Sequence, residues 1–142
     1  MEQSPSPKPI ELVFPVPKHP HLRCHVRLSI LAKCATVYVT TSDLDMPSSQ
    51  APLGSFVYAL PDRQENAIST ALSTSVPNID YATRLAKILA RKFNQPVYVG
   101  CSINLAGVTV EEEMEGLREI VDKVVTAWAQ TRQSRPVDGG QT

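Results

Sequence analysis

The segment "LRCHVRLSILAKCATVYVTT", residues 22–41, decides the fold, because it contains two runs in which the side chains alternate in character. From Leu22 to Ile30, every even-numbered position carries an apolar or thiol side chain, and every odd-numbered position carries a polar one. Such a period of two is typical of a strand with one buried and one exposed face. The second run, "CATVYVTT", follows after a short connection, so the two runs predict an antiparallel hairpin.

Other segments extend the predicted sheet on both sides of this hairpin. "IELVF" predicts a strand that ends at Pro15 and Pro17, and "PKHPH" reads as a connector because proline cannot donate a hydrogen bond to a strand partner. "SDLDMPSSQAP", residues 42–52, has the composition of a loop. Three further strands are predicted: "LGSFVYAL" at 53–60, "AISTALS" at 67–73 as an edge strand, and "PVYVGCSI" at 96–103.

Two helices are predicted in the second half of the chain. Pro77 and Asn78 open the first, with Asn78 as its N-cap. Thr109 and Glu112 have the spacing of a capping box that opens the second. The buried stripe of the first helix is predicted as Ile79, Ala82, Leu85, Ala86, Leu89 and Phe93. That of the second is predicted as Val110, Met114, Leu117, Val121, Val124 and Trp128.

The order of these elements indicates an α+β fold. Strands clustered in hairpins predict a mostly antiparallel sheet of five to six strands, and the two helices are free to pack on one of its faces. We expect a disordered N-terminal tail over residues 1–9, a single α+β domain over 10–130, and a flexible C-terminal tail over 131–142.

Composition limits the classes of function. Of the 142 residues, 14 are basic and 14 acidic, so no global field attracts nucleic acid or an anionic membrane. Three scattered cysteines do not form a disulfide framework, and no apolar run is long enough to span a membrane. The N-terminus has neither the apolar core of a signal peptide nor the pattern of a transit peptide. We therefore expect a cytoplasmic protein, with the nucleus as a further location.

The face of the sheet that the helices leave free has an unusual composition. Its strand centres carry Arg27, Tyr38, Tyr58 and Tyr98, where a water-facing sheet would carry lysine, glutamate and threonine. Tyrosine is enriched where one protein meets another. One interpretation is that a partner's sheet packs on these four residues, and the other is that loops or the N-terminal segment of the same chain cover them.

Two groups of residues contain side chains that can bind metal ions. "HPHLRCH" places His19, His21, Cys24 and His25 close together in sequence. Cys24 and His25 are neighbours on a strand and point to opposite faces, and the chain has no further histidine to complete four ligands. Asp43 and Asp45 are typical of a polar loop. The sequence predicts no metal site.

Cys101 and Ser102, near the end of a predicted strand, carry side chains that can act as nucleophiles. Activation of either as a nucleophile requires a base, and all histidines lie far upstream. Phosphate-binding and hydrolase motifs such as GxxxxGK[ST], GxGxxG and GxSxG are absent. We predict a protein that is not an enzyme and needs no cofactor, with a cysteine or metal enzyme as a rival hypothesis.

The first predicted helix carries Arg84, Lys87 and Arg91 on one side. A basic row of this kind suits an acidic patch on a protein. It equally allows the alternative function of a small RNA-binding domain that uses the basic helix face.

The segment "TRLAKILARKFNQPVYVGCSINL", residues 83–105, resembles the helix-then-strand signature of the proteasome assembly chaperone 4 family. Leu89 to Lys92 match the end of the family's helix, and Val97 to Val99 match its strand. "HVRLSILAKCATVYV" is similar to the family's early hairpin, and "VEEEMEGLREIV" to its closing acidic helix. The likeness covers positions 22–41 and 78–125.

This resemblance implies a non-catalytic chaperone that pairs with a proteasome assembly chaperone 3-like protein and promotes assembly of the 20S α-ring. It further implies contact with an α-ring subunit, the fifth, for which Arg84, Lys87 and Arg91 are our candidates. Other assembly chaperones dock a C-terminal hydrophobic-tyrosine tail in α-ring pockets, but this chain ends in Gly-Gly-Gln-Thr. From the composition of the free sheet face we predict a protein partner at Arg27, Tyr38, Tyr58 and Tyr98, and from the balanced charge neither nucleic acid nor membrane as a partner.

Overall fold

The computed structural model describes residues 8–43, 54–62, 67–74, 79–105 and 108–134, which form six strands and two helices. In chain order the elements are β1 (Ile10–Val16), β2 (His19–Ile30), β3 (Ala35–Asp43), β4 (Ser55–Pro61), β5 (Ala67–Ser73), α1 (Ile79–Phe93), β6 (Val97–Ser102) and α2 (Val110–Ser134). The predicted Asn78 N-cap, the greater part of the 42–52 loop and the first seven residues lie outside the described ranges.

The six strands form one open sheet in the order β1-β2-β3-β6-β4-β5. All neighbouring strands are antiparallel except β3 and β6, which run parallel because α1 and β4–β5 separate them along the chain. The hairpin predicted at residues 22–41 is the pair β2–β3, in which Val26 lies opposite Val39. This arrangement confirms the α+β fold with a mostly antiparallel sheet.

Both helices pack on one face of the sheet and enclose the hydrophobic core. α1 lies over β4, β5 and β6, while α2 packs beside α1 and over β1 and β2. Leu28 of the sheet and Leu89 of α1 are fully buried between the layers, and burial of each such side chain contributes roughly 1.5–3 kcal/mol. Phe93 stacks on Trp128 with ring centroids 4.6 Å apart, which joins the end of α1 to α2.

Helix α1 buries the predicted stripe and ends at a residue with left-handed backbone. Ala82, Leu85, Ala86, Leu89 and Phe93 are buried, and Ile79 is partly buried. Asn94 follows the helix with φ of 54°, a conformation that asparagine tolerates better than most residues. This reversal directs the chain through Pro96 into β6.

Helix α2 begins with the predicted capping box. The Glu112 amide donates to Thr109 Oγ1 at 3.2 Å, and the Thr109 amide donates to Glu112 Oε1 at 3.1 Å. The predicted stripe is wrong at its start, because Val110 is 72% exposed and Met114 is also exposed. Their turns lie outside the helix–sheet contact, which instead buries the following residues: Leu117, Ile120, Val121, Val124 and Ala127.

The predicted connector at residues 17–21 is mostly strand. β1 continues through Pro15 to Val16, and a tight turn at Pro17 and Lys18 leads directly into β2 at His19. Lys18 has φ of 66°, which closes the turn. The β1–β2 register shifts between Pro15 and Val16, so Pro20 has no regular partner on β1. Strand β2 therefore accommodates Pro20, although proline has no amide hydrogen to donate to a neighbouring strand.

Helix α2 continues to Ser134, beyond the predicted domain limit at residue 130. The extents of the two terminal tails stay predictions. Among the described residues, neither helix combines the length and apolar character needed to cross a membrane.

Candidate protein-binding surfaces

The sheet face opposite the helices carries four aromatic side chains, Tyr38, Phe56, Tyr58 and Tyr98, which we call the aromatic row. The strand register brings them together: Tyr58 lies opposite Tyr98, while Gly100 lies between Tyr38 and Phe56 across three adjacent strands. Because Gly100 has no side chain, the two rings on either side of it can approach each other. All four rings are partly or substantially exposed in the described part of the chain.

Ring geometry shows that the aromatic row is one connected cluster. Tyr38 and Phe56 are parallel within 3° at a centroid separation of 6.1 Å. Phe56 stacks on Tyr98 at 5.9 Å, and Tyr98 meets Tyr58 at 4.7 Å with a tilt of 46°. Aromatic pairs in this range are favourable, so the row is a preorganised surface rather than a set of independent side chains.

Tyr38, Tyr58 and Tyr98 were predicted from the sequence to share this face, and the structure brings them together. Phe56 was missed, although its even-numbered position in "SFVYAL" gives it the same orientation as Tyr58. Arg27 also lies on this face, opposite Tyr38 across the β2–β3 pair, and is exposed. It therefore borders the aromatic row at one end.

Charge divides this face into two parts. Strands β1 and β2 present Glu11, Arg23 and Arg27, together with His25. The side chains that β3, β6, β4 and β5 present there include no charged residue. These neutral positions are Thr36, Tyr38, Thr40, Ser42, Tyr98, Gly100, Ser102, Phe56, Tyr58, Leu60, Ile68, Thr70 and Ser73. We call them the uncharged sector.

The predicted basic row of α1 lies on the other side of the molecule, in the helix layer. Arg84, Lys87 and Arg91 are all exposed, and their spacing places them on one side of the helix. Arg84 Nη1 lies 3.8 Å from the sulfur of Met114, so the row adjoins the exposed start of α2. Since the sheet separates the basic row from the aromatic row, the two cannot together provide a phosphate groove and a stacking platform for single-stranded RNA.

The histidine-rich segment is distributed over different environments. Cys24 is buried beneath the helices, whereas His25 points to the other face and hydrogen-bonds Ser42 Oγ at 2.8 Å. His19 Nε2 lies 2.8 Å from Glu112 Oε1 and thereby connects the β1–β2 turn to the start of α2. Within the described ranges, His, Cys, Asp and Glu side chains form no group of three that could hold a metal ion. Asp45 lies outside those ranges.

The two buried thiols are poorly suited to act as nucleophiles. Burial raises the pKa of Cys101 to about 12, against a hydrogen bond from the Ile103 backbone that lowers it. Burial also raises the pKa of Cys24 to about 11, with a smaller contribution from the charge of Glu119. With these raised pKa values, both thiols are almost entirely protonated at neutral pH. Because the thiolate is the reactive form, neither thiol is activated as a nucleophile.

Comparison with known proteins agrees with this architecture. A family model described as Proteasome assembly chaperone 4 matches residues 23–103, a span of more than half of the chain. A chain from "Crystal Structure of a Novel Chaperone Complex for Yeast 20S Proteasome Assembly" is similar with a TM-score of 0.59 and 20% identity, and the match covers 87% of this chain and 95% of that chain. At this identity the likeness concerns the fold. No curated protein matches the sequence significantly.

Proposed function

Because the chain belongs to the proteasome assembly chaperone 4 family and thus acts in proteasome assembly, we propose that it works as one half of a heterodimer. The other half is a structurally similar, proteasome assembly chaperone 3-like protein, whose sheet packs on the face opposite the helices. The heterodimer promotes assembly of the 20S α-ring and has no catalytic role. The cytoplasm, and also the nucleus, is the proposed location.

The observation that carries this proposal is the aromatic row. Tyr38, which is 39% exposed, stacks with Phe56, and this pair is continuous with Tyr98 and Tyr58. A solvated antiparallel sheet face normally carries polar side chains, whereas aromatic residues concentrate in the cores of protein interfaces. A second sheet packed at about 10 Å would bury these rings.

The basic row supports a second contact, with an α-ring subunit. Arg84, Lys87 and Arg91 are exposed on the helix side, so an acidic surface can reach them while the sheet face is occupied. We propose the fifth α subunit as this partner. Two faces directed away from each other allow one small domain to hold a chaperone and a proteasome subunit together.

Reconstitution tests the proposal. The chain is coexpressed with the proteasome assembly chaperone 3-like protein of the same organism, and light scattering after size exclusion is expected to give a one-to-one complex. Addition of the purified fifth α subunit is then expected to give a ternary complex. If the two proteins remain separate monomers at micromolar concentration, heterodimerisation is contradicted. If a stable heterodimer forms but does not bind the α subunit, only the second contact is contradicted.

The same preparation decides the RNA-binding alternative. A domain that binds RNA through the basic row would retain a labelled single strand with an affinity that falls steeply with salt concentration. We expect no retention at physiological salt. Retention that is lost when Arg84, Lys87 and Arg91 are replaced by glutamine would favour the RNA-binding function instead.

A further inference from the structure

The two edges of the sheet differ in a way that indicates where the partner sits. β1, at one edge, presents Glu11 and Pro15 on the helix-free face, and both residue types discourage strand-to-strand association. β5, at the other edge, has the sequence "AISTALS", which contains neither a charge nor a proline. β5 thus lacks two of the features that keep edge strands unpaired and has only the register shift next to Phe56 as an irregularity.

Strand β5 also exposes apolar side chains that continue the aromatic row. Ile68 is 56% exposed and lies opposite Leu60 in the β4–β5 ladder. The neighbouring pair of this ladder contains Ala59. Thr70 lies opposite Tyr58, and Ser73 lies opposite Phe56, with a register shift at Leu72 between them. The aromatic row is therefore continuous with an apolar surface that extends to the β5 edge of the sheet.

Towards the opposite edge of the sheet, the exposed side chains change from aromatic on β3 to charged on the adjacent strand β2. Beyond Tyr38 come Arg27 and then Glu11, which lie in one cross-strand row. Covering these charges with a neutral sheet would cost free energy of desolvation without a compensating partner. Charged groups of this kind belong at the rim of an interface, where they remain in contact with water.

We propose that the partner sheet covers the uncharged sector, from β3 across β6 and β4 to β5, and leaves the β1–β2 side in solvent. This inference rests on the proposed heterodimer and specifies its geometry: the partner is off-centre, and its contacting face is apolar and without net charge. Arg27 lies at the rim and Ile68 inside the contact.

Two matched substitutions test this placement. Ile68 and Val13 are both β-branched residues of edge strands on the helix-free face, and their exposed fractions are 56% and 55%. Ile68→Asp is expected to weaken binding of the coexpressed partner by about tenfold or more, and Val13→Asp to change it by no more than about twofold. Circular dichroism of each variant verifies that the fold is retained, and Ile68→Thr replaces Ile68→Asp if the latter does not fold.

Hydrogen exchange of the wild-type complex gives a second readout that needs no variant. Peptides of β4 and β5 are expected to gain protection on complex formation, and peptides of β1 are expected to remain unchanged. Equal effects at Ile68 and Val13, or protection centred on β1 and β2, would overturn the placement while the heterodimer itself stands. Absence of any complex would instead contradict the proposed function, and assembly of the chain with itself through β5 would identify a second copy as the occupant.

Discussion

Tyr58 and Tyr98 lie directly opposite each other on adjacent antiparallel strands, and their ring centroids are 4.7 Å apart on the face opposite α1 and α2. Their backbones belong to the centre of the sheet, whereas their rings face outward. The sheet is thus covered by helices on one side and presents a connected aromatic surface on the other.

Truncation of a central ring should weaken the heterodimer. Tyr98 contacts both Phe56 and Tyr58, so Tyr98→Ala removes the middle of the aromatic row. We expect a loss of binding free energy of about 2 kcal/mol or more, as for an interface hot spot, measured by titration calorimetry with the chaperone 3-like partner. Arg118→Ala, at an exposed position of α2, is the control. Partner affinity like that of the wild type for Tyr98→Ala would remove this residue from the interface.

Reversal of charge on α1 should separate the two proposed contacts. Replacement of Arg84, Lys87 and Arg91 by glutamate is expected to weaken binding of the α subunit and to leave the heterodimer intact, because the row lies on the helix side. Pull-down of the α subunit by the preformed heterodimer measures the effect. Arg118→Glu serves as the single-site control for added negative charge, and an unchanged yield of α subunit with the triple variant would contradict the assignment.

Two glycines should respond to the same substitution in opposite ways. Gly54 has φ of 72°, and a Cβ atom there would collide with the carbonyl oxygen of Cys101. Gly54→Ala is therefore expected to lower the free energy of unfolding by about 2 kcal/mol. Gly116, within α2, has room for a Cβ atom 4.0 Å from Val16 Cγ1, so Gly116→Ala should be neutral or stabilise by up to about 1 kcal/mol. Urea denaturation compares the two, and equal effects would contradict the described approach of Gly54 to β6.

The start of α2 should make stability depend on pH. The pKa of Glu112 is lowered chiefly by its hydrogen bond from His19 and next by that from the Thr109 backbone. Folding thus favours the carboxylate, so its contribution is present above the ordinary pKa of glutamate and is lost as pH falls through the lowered value. We expect Glu112→Gln to be less stable than the wild type at neutral pH and the difference to shrink below about pH 4.

Denaturant midpoints across this pH range measure the effect, with Glu111→Gln as the control for loss of a carboxylate from the first turn. Thr109→Ala removes the other half of the capping box and should cost about 1 kcal/mol, whereas Thr109→Ser should restore most of it. A Glu112→Gln deficit that persists unchanged at low pH would show that the carboxylate is not responsible.

The three thiols should differ in reactivity. Cys24 and Cys101 are buried, with pKa values raised to about 11 and about 12, whereas Cys34 lies partly exposed in the β2–β3 turn. Iodoacetamide at pH 8 is expected to modify Cys34 in the native protein and all three residues after denaturation. Intact mass and peptide mapping give the result. Rapid native modification of Cys101 would revive the hypothesis of a nucleophilic cysteine.

The sequence alone determined those features that depend on neighbouring residues. Alternation from Leu22 to Ile30 predicted β2, Thr109 and Glu112 predicted the capping box, and "AISTALS" predicted an edge strand, because each pattern acts over a few residues. The shared orientation of Tyr38, Tyr58 and Tyr98 also followed from strand period. Only the tertiary structure decided which strands are neighbours. The stacking of Phe56 on Tyr38 across Gly100 depends on that order, because the three residues belong to three adjacent strands.

The exposure of Val110 and Met114 was likewise decided by tertiary structure, since helical spacing gives the buried side of α2 but not the point at which the sheet beneath it ends. The division of the free face into a charged strip and an uncharged sector depends on the strand order β1-β2-β3-β6-β4-β5. That order is set by packing between residues distant in sequence, whereas each strand is set by the local alternation of its own side chains.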